Sequence, residues 1–367
     1  MTEASKPLKI LLTADTLGGV WTYAIDLIKA LAPYGTQVAL ATMGALLTPL
    51  QHQQVKALPH VKLYESNYKL EWMESPWEEV DAAGNWLLQV NQDFAPDLIH
   101  LNNLVHGNLA WGKPVVLVVH SCVQSWWQGV KKEAAPNNWQ EYRNRVTQSL
   151  RAAQVVVAPT LAMLEEAETL YGPFYNHLVI HNGRDLSSFH YASKEPFIFS
   201  MGRLWDEAKN VQLLAEVAAD LSWPVLIAGN AQHPVTAEIL NFKNVQFLGH
   251  LDPLEISNYL SRASIFALPV KYEPFGLSAL EAGLSGCALV LGSIPSQKEI
   301  WQHTATYVNP TDAEQLKTTL TKLINDEFIR NIFSYRALNV AQQYSAEQMA
   351  LEYADLYQQL LPDFNLI

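Results

Sequence analysis

The apolar residues of this 367-residue chain gather in short, nearly continuous runs, and the stretches between them carry helical spacing. Lys9–Thr13 (KILLT) is the first run, ending at the polar turn Ala14–Gly19; beyond it Ala24, Leu27, Ile28 and Leu31 recur as one helix face. Gln37–Met43 (QVALATM), Asp97–Leu101 (DLIHL), Pro114–His120 (PVVLVVH), Val155–Pro159 (VVVAP) and Leu178–Ile180 read as further strands. After Arg184–Lys194 the pattern restarts. Phe197–Met201, Val225–Ala228, Val245–Leu248, Ala263–Pro269 (core Ile265–Pro269), Ala288–Leu291 and Thr306–Val308 are six more strand candidates, with helices between most of them. Strands apolar on both faces, alternating with helices, predict α/β architecture with parallel sheets covered on both sides. Two doubly wound, Rossmann-like units in tandem are the economical reading. Ser345–Leu361 is predicted to be a closing helix with Met349, Tyr353, Leu356 and Leu360 on one face.

Composition narrows the function classes. The length suggests about two domains, and 49% apolar with 16% charged residues is ordinary for a globular chain. A net charge of −12 argues against a nucleic-acid partner and gives no general attraction to anionic lipid. Cys122 and Cys287 have no metal-like spacing, so a reducing, cytoplasmic setting is expected. The opening MTEASKPLKI is too polar for a signal peptide, and no apolar run reaches spanning length. Membrane association is expected to be peripheral at most.

The chemistry is expected at the carboxyl ends of strands, where open parallel sheets bind ligands. Leu17-Gly18-Gly19-Val20 is a turn small enough for backbone to approach a phosphate, or simply a tight turn. It is not GxGxxG, and no acidic residue ends the next strand, which disfavours a dinucleotide oxidoreductase. His120 ends an apolar strand and reads either as a site residue or as a satisfied core group. Trp126, Trp127 and Trp139 lie in a loop with Lys131 and Lys132, as platforms for sugar rings or as ordinary packing. Arg203 and Lys209 flank a polar loop that opens a helix. A fork-shaped donor and a point charge there suit a diphosphate, against which stands surface pairing with Asp206 or Glu207.

The most informative stretch is Lys271–Glu281 (KYEPFGLSALE), a strand-to-helix turn ahead of a short helix over Leu277–Leu284. The unpaired N–H groups of such a helix end attract anions. Glu273 just before it and Glu281 one turn inside suit a ligand with phosphates and hydroxyls together. The competing reading is a capping box, Ser278-x-x-Glu281, with Glu273 solvated. Features from both halves converge on strand ends, as expected for a cleft between facing sheets.

The second half resembles the retaining family-4 glycosyltransferases of GT-B fold, also called glycosyl transferases group 1. The resemblance is carried by GRLWDEAKN (202–210), VQFLGHL (245–251), YEPFGLSALEAGLSG (272–286) and IPSQKE (294–299). The first half agrees more loosely through Gly18-Gly19, His120, APT (158–160) and HNGRD (181–185). The resemblance implies an N-terminal acceptor-side domain over 1–187, a nucleotide-sugar-binding domain over 188–344, and a helix over 345–367 that returns to the first domain. It implies that Arg203 and Lys209 hold the donor diphosphate, Glu281 the ribose hydroxyls and Glu273 the donor sugar. Leu251, Phe275 and the N–H groups near Gly276 and Leu277 would line the donor, with Gly18 and Gly19 touching it and His120 near the reacting sugar. No cofactor is expected beyond the donor substrate, and no metal, in keeping with the lack of an Asp-x-Asp pair. The Arg203-to-Lys209 interval is one residue longer than in many members, and Ser293 replaces a common acidic residue. Lys131, Lys132, Arg143, Arg145 and Arg151 match a basic membrane-facing surface of some members, or a solvated helix face.

The expected activity is retaining transfer of a hexose from a UDP- or GDP-sugar to a carbohydrate, lipid-linked or small-molecule hydroxyl, within polysaccharide or glycoconjugate biosynthesis. The rivals are an epimerase or phosphorylase of the same fold, or a non-catalytic binding protein.

Overall fold

The computed structural model describes residues 6–232 and 242–364; the first five residues of the polar opening and the last three of the tail lie outside it. The chain divides into two compact units. One runs to Trp127, resumes over Glu133–Gly183 and is completed from Ala346 onward; the other comprises Gln128–Lys132 and Arg184–Ser345.

The first unit carries seven strands: β1 (Lys9–Asp15), β2 (Gln37–Met43), β3 (Val61–Glu65), β4 (Leu98–Leu101), β5 (Val115–Val118), β6 (Val155–Ala158) and β7 (His177–Val179). All pair in parallel, in the order β3-β2-β1-β4-β5-β6-β7. Sequence reading missed β3, and the reason is physical. VKLYE is an edge strand, half-buried with Lys62 exposed, so it lacks the continuous apolar run that marks its neighbours.

Side chains alternate across this sheet and feed two separate cores. Leu11, Ala39, Ala41, Ile99 and Leu117 join one, against residues such as Val80, Ala83 and Leu87 of the helix Trp77–Phe94. Ile10, Leu12, Val38, Leu40, Val116 and Val157 join the other. There they meet Ala24, Leu27, Ile28 and Leu31 of the helix Gly19–Leu31, and Met349, Tyr353 and Leu356 of the helix Ala346–Leu360. The closing helix therefore packs on the first unit, with Leu360 partly buried at the edge of the same core.

The second unit repeats the plan with β8 (Glu195–Met201), β9 (Val225–Ala228), β10 (Gln246–Gly249), β11 (Ala263–Leu268), β12 (Ala288–Gly292) and β13 (Thr306–Val308). Its parallel order is β10-β9-β8-β11-β12-β13. In each sheet the order reverses beside the first strand, between β1 and β4 and between β8 and β11. These are the switch points where doubly wound sheets bind ligands. On the other side of β8, where β8 and β9 end, backbones come close enough to require glycine: a Cβ on Gly229 would lie 1.9 Å from the Gly202 carbonyl oxygen, at a φ of +138°. No helix among the described residues is long and apolar enough to cross a membrane.

Tyr353→Ala should empty a fully buried site in the closing helix and cost about 3–5 kcal/mol. Leu351→Ala, at a 40% exposed position of the same helix, should change stability by no more than about 0.5 kcal/mol. Urea unfolding of both variants checks the assignment; equal effects would mean that the helix does not complete this core.

Candidate functional site

In the second unit, two loops meet at the switch point. The loop after β8 carries Arg203 and, on the tight turn Glu207–Lys209, Lys209. Asp206 caps that turn, its Oδ1 accepting from the Ala208 N–H at 3.0 Å. Its Oδ2 accepts from Arg203 Nη2 at 3.1 Å. The pairing that rivalled a diphosphate role is thus formed, but it spends one nitrogen of a side chain that remains 46% exposed, with the guanidinium beside the Trp205 ring. Asp206 is nearly buried, so it orients the fork rather than shielding it. Asn210, at a left-handed φ of +53°, ties the end of this turn to the Pro269 and Pro310 carbonyls at 2.8 Å each. Those bonds set the longer Arg203–Lys209 loop against the end of β11.

The loop after β11 supplies Glu273, whose carboxylate accepts directly from Lys209 Nζ; both side chains are mostly buried. The Ser296 hydroxyl donates to the Glu273 carbonyl, which fixes the backbone before the helix Leu277–Leu284. That helix begins at Gly276, φ +99°, with no side-chain cap. The capping box expected of Ser278 and Glu281 is not formed, because Gly276 takes the N-cap position and Ser278 already lies inside the helix. A Cβ at Gly276 would lie 2.9 Å from Gln297 Nε2, itself held by the Phe275 carbonyl at 2.8 Å. The uncapped N–H groups carry the positive end of the helix dipole toward Arg203 and Lys209's side of the switch point.

Glu281 meets Arg184 instead, with Nε 3.0 Å from Oε1 and both side chains little exposed. Sequence reading quoted Arg184 within HNGRD without giving it a role. The signal was a basic residue in that motif, but its partner lies 97 residues away and only the fold joins them. Gln297 and Ser296 were likewise quoted within IPSQKE and prove to brace the Glu273–Gly276 turn. Phe275 has its ring buried in the core, edge-on to Tyr344, so only its backbone remains for a ligand. Leu251 is half-buried and packs on the same core; no contact places it with Glu273.

In the first unit, Gly18 and Gly19 follow β1 and open the helix Gly19–Leu31, again without a side-chain cap, with Gly18 at φ +153°. His120 lies two residues beyond β5. Its Nε2 is 2.8 Å from Asn102 Oδ1, and Tyr23 of that helix packs edge-on at 4.4 Å. Behind it, fully buried His100 is held between two hydroxyls, Tyr23 at 3.2 Å and Tyr357 at 2.6 Å. Burial pushes the pKa of both histidines down to about 3, so both are neutral at pH 7. His120 is therefore suited to hydrogen bonding and not to taking a proton.

The tryptophan loop is mostly packing: Trp126 and Trp127 meet edge-on, and Trp139 packs on Tyr142. Three of the five basic residues are paired within the protein, while Lys132 and Arg151 are exposed. Lys131 pairs with Glu207, Arg145 with Asp81 and Glu141, and Arg143 donates to the Leu170 carbonyl.

Comparison with known proteins gives the following. Residues 17–188 match the family described as Glycosyltransferase Family 4, and residues 185–340 match Glycosyl transferases group 1. A glycogen synthase of Mycobacterium tuberculosis is 24% identical over 268 residues, covering 65% of this chain and 63% of that protein. An N-acetylgalactosaminyltransferase of Campylobacter jejuni, acting on N,N'-diacetylbacillosaminyl-diphospho-undecaprenol, is 28% identical over 46% of each chain. The chain thus spans less than two thirds of the length of these curated relatives. Among solved structures, sucrose-phosphate synthase from Thermosynechococcus elongatus aligns with a TM-score of 0.82 at 18% identity, over 97% of this chain and 99% of that one. HepE of Anabaena, solved with UDP-glucose, aligns with a TM-score of 0.76 at 18% identity, over 96% and 100%.

Burial of neutral His100 makes stability depend on pH with a defined sign. Its folded pKa of about 3 lies below the ordinary value of about 6.5, so the unfolded chain binds the proton first. Stability contributed by this group is full above about pH 7 and is lost as pH falls from 6.5 toward 3. Between pH 7.5 and 5 the loss should be about 2 kcal/mol. Urea unfolding at both values should show that extra loss in the parent chain and not in His100→Gln; equal losses would refute it.

Proposed function

The chain belongs to the family-4, group 1 glycosyltransferases, with the GT-B fold, and we propose that it transfers a hexose from a nucleoside diphosphate sugar to an acceptor hydroxyl with retention at the anomeric carbon. The observation that carries this reading is the second unit's switch point. There an uncapped helix N-terminus at Gly276, the half-exposed fork of Arg203 and the Lys209–Glu273 pair meet on two adjacent loops. Two cations and aligned N–H dipoles suit a diphosphate, and a carboxylate beside them suits sugar hydroxyls. HepE, solved with UDP-glucose, makes a UDP-hexose the first donor to test.

In this reading Arg203 and Lys209 take up the charge that grows on the diphosphate as the C1–O bond breaks, the term usually largest in such transfers. Glu273 holds the sugar and keeps Lys209 aimed at the phosphate. Glu281, steadied by Arg184, accepts from the ribose hydroxyls. In the first unit, the uncapped Gly18-Gly19 turn offers backbone donors, and neutral His120 offers an acceptor for a hydroxyl. Leu251 and the backbone at Phe275 and Leu277 complete the nucleotide's surroundings. The acceptor oxygen bonds to C1 on the face the diphosphate leaves, and its proton passes to the departing diphosphate oxygen. The reaction so written uses no metal and no cofactor besides the donor. The free, buried thiols of Cys122 and Cys287 support a reducing, cytoplasmic setting. The curated relatives support an acceptor that is a growing glycan or a lipid-linked sugar.

Thermal unfolding with UDP, GDP and their hexoses should show one nucleotide raising the midpoint without added magnesium. Product NMR should show the anomeric configuration of the donor kept; inversion would overturn the stereochemical assignment. Sugar conversion without an acceptor, or a requirement for free phosphate, would point to an epimerase or a phosphorylase.

Arg203→Ala should lower kcat/KM by about 10²–10³-fold. Because the side chain is half-exposed, the unfolding midpoint should hold. Undiminished turnover in that variant would remove the diphosphate role.

A further inference from the structure

We infer that Asn102 is a positioning residue that fixes the ring tautomer of His120, leaving an unprotonated Nδ1 to accept a hydrogen bond from a sugar hydroxyl. The ligand's identity rests on the reading above; the geometry of the lock does not.

Asn102 is held by groups that can act in one sense only. Asn102 follows β4 at the first unit's switch point and is nearly buried. Its side-chain Nδ2 lies 2.8 Å from the carbonyl oxygen of Thr13 in β1. A carbonyl can only accept, so the amide's NH₂ end must face Thr13 and its oxygen must face the other way. The backbone N–H of Asn102 also donates to Thr13 Oγ1 at 2.8 Å, and that hydroxyl donates onward to Asn103 Oδ1 at 3.1 Å. Thr13 thus holds Asn102 by backbone and side chain together. What remains is Oδ1, 2.8 Å from His120 Nε2. An amide oxygen accepts and does not donate, so Nε2 carries the proton.

Whether Nδ1 carries a second proton depends on what faces the ring. Tyr23 meets it from the helix Gly19–Leu31, and His100 stands behind on β4. Tyr353 and Tyr357 of the closing helix surround His100 in turn. All of these groups are neutral at pH 7, and burial pushes the His120 pKa down to about 3. With one proton, already on Nε2, the ring leaves Nδ1 a lone pair. No described residue donates to it. An acceptor of this kind selects a ligand hydroxyl over a group without a hydrogen to give, and it does so without taking the proton.

Long-range ¹⁵N–¹H spectra of the unliganded protein test this directly, with the His120 signals assigned by their loss in His120→Gln. The expected result at pH 7 is one neutral ring, protonated at Nε2 and bare at Nδ1. A ring protonated at Nδ1, or a cation, would overturn the inference. In Asn102→Asp, the new carboxylate should stabilise the imidazolium and bring its pKa to between about 6 and 8. Nδ1 then becomes a donor as pH falls. If transfer occurs, kcat/KM of this variant should drop about tenfold from pH 8.5 to pH 6 while the parent's changes little. A His120 in Asn102→Asp that still fails to titrate above pH 5 would also refute the lock. Should that variant not fold, the parent spectrum alone decides. Absence of transfer in every chain, with the Nε2–H tautomer present, would sink the glycosyltransferase reading and leave the lock standing.

Discussion

When two neighbouring parallel strands send their crossovers in opposite directions, no connecting helix covers the gap between their carboxyl ends. The loops leaving those ends must satisfy their own polar groups, and the helices that follow begin there with donors unpaired. Both sheets obey this constraint, between β1 and β4 and between β8 and β11. In the second unit, Lys209 from one loop and Glu273 from the other bridge the reversal directly. Asn210 crosses the same reversal to the Pro269 carbonyl, while Asp206 braces the first loop and Ser296 and Gln297 brace the second. In the first unit, neutral groups do the same. Thr13 binds Asn102 across the β1–β4 reversal, and Asn102 reaches His120 beyond β5.

Much of this was legible in the sequence because buried parallel strands are apolar on both faces. Val155–Ala158 and Ala288–Gly292 have no polar side chain, and a continuous run of that kind has few other homes. The strand that escaped, Val61–Glu65, lies at an edge and has Lys62 and Glu65 breaking its apolar run. Within the candidate site, residue types at strand ends were visible, whereas pairings were not. Glu281 with Arg184, and Asn102 with His120, join positions far apart in sequence, and no local pattern encodes such distances. The capping box failed for a related reason. Ser278 and Glu281 have the right spacing, but a left-handed glycine two residues before Ser278 had already begun the helix.

The buried polar cluster of Tyr23, His100, Tyr353 and Tyr357 sits where a wholly apolar contact would have served packing alone. Hydroxyls flanking a neutral imidazole fit one orientation of the closing helix against the helix Gly19–Leu31, because a shifted register would leave His100 unpaired at 0% exposure. Aliphatic residues around it supply the adhesion, and the polar pairs supply the register. The cluster also backs onto His120, so the seating of the closing helix and the setting of that imidazole share the Tyr23 ring.

The discontinuity of the first unit has a consequence for how the protein is made. Ile10, Leu12 and Tyr23 are translated before the whole second unit, and the helix that covers them only after it. At ribosomal rates of about 5–20 residues per second, the more than 300 residues between Tyr23 and Ala346 leave that apolar face uncovered for tens of seconds. The second unit, contiguous apart from five residues, holds its whole sheet before Ala346 is translated. Synthesis thus supplies every strand of both sheets before the helix that closes the first unit's core.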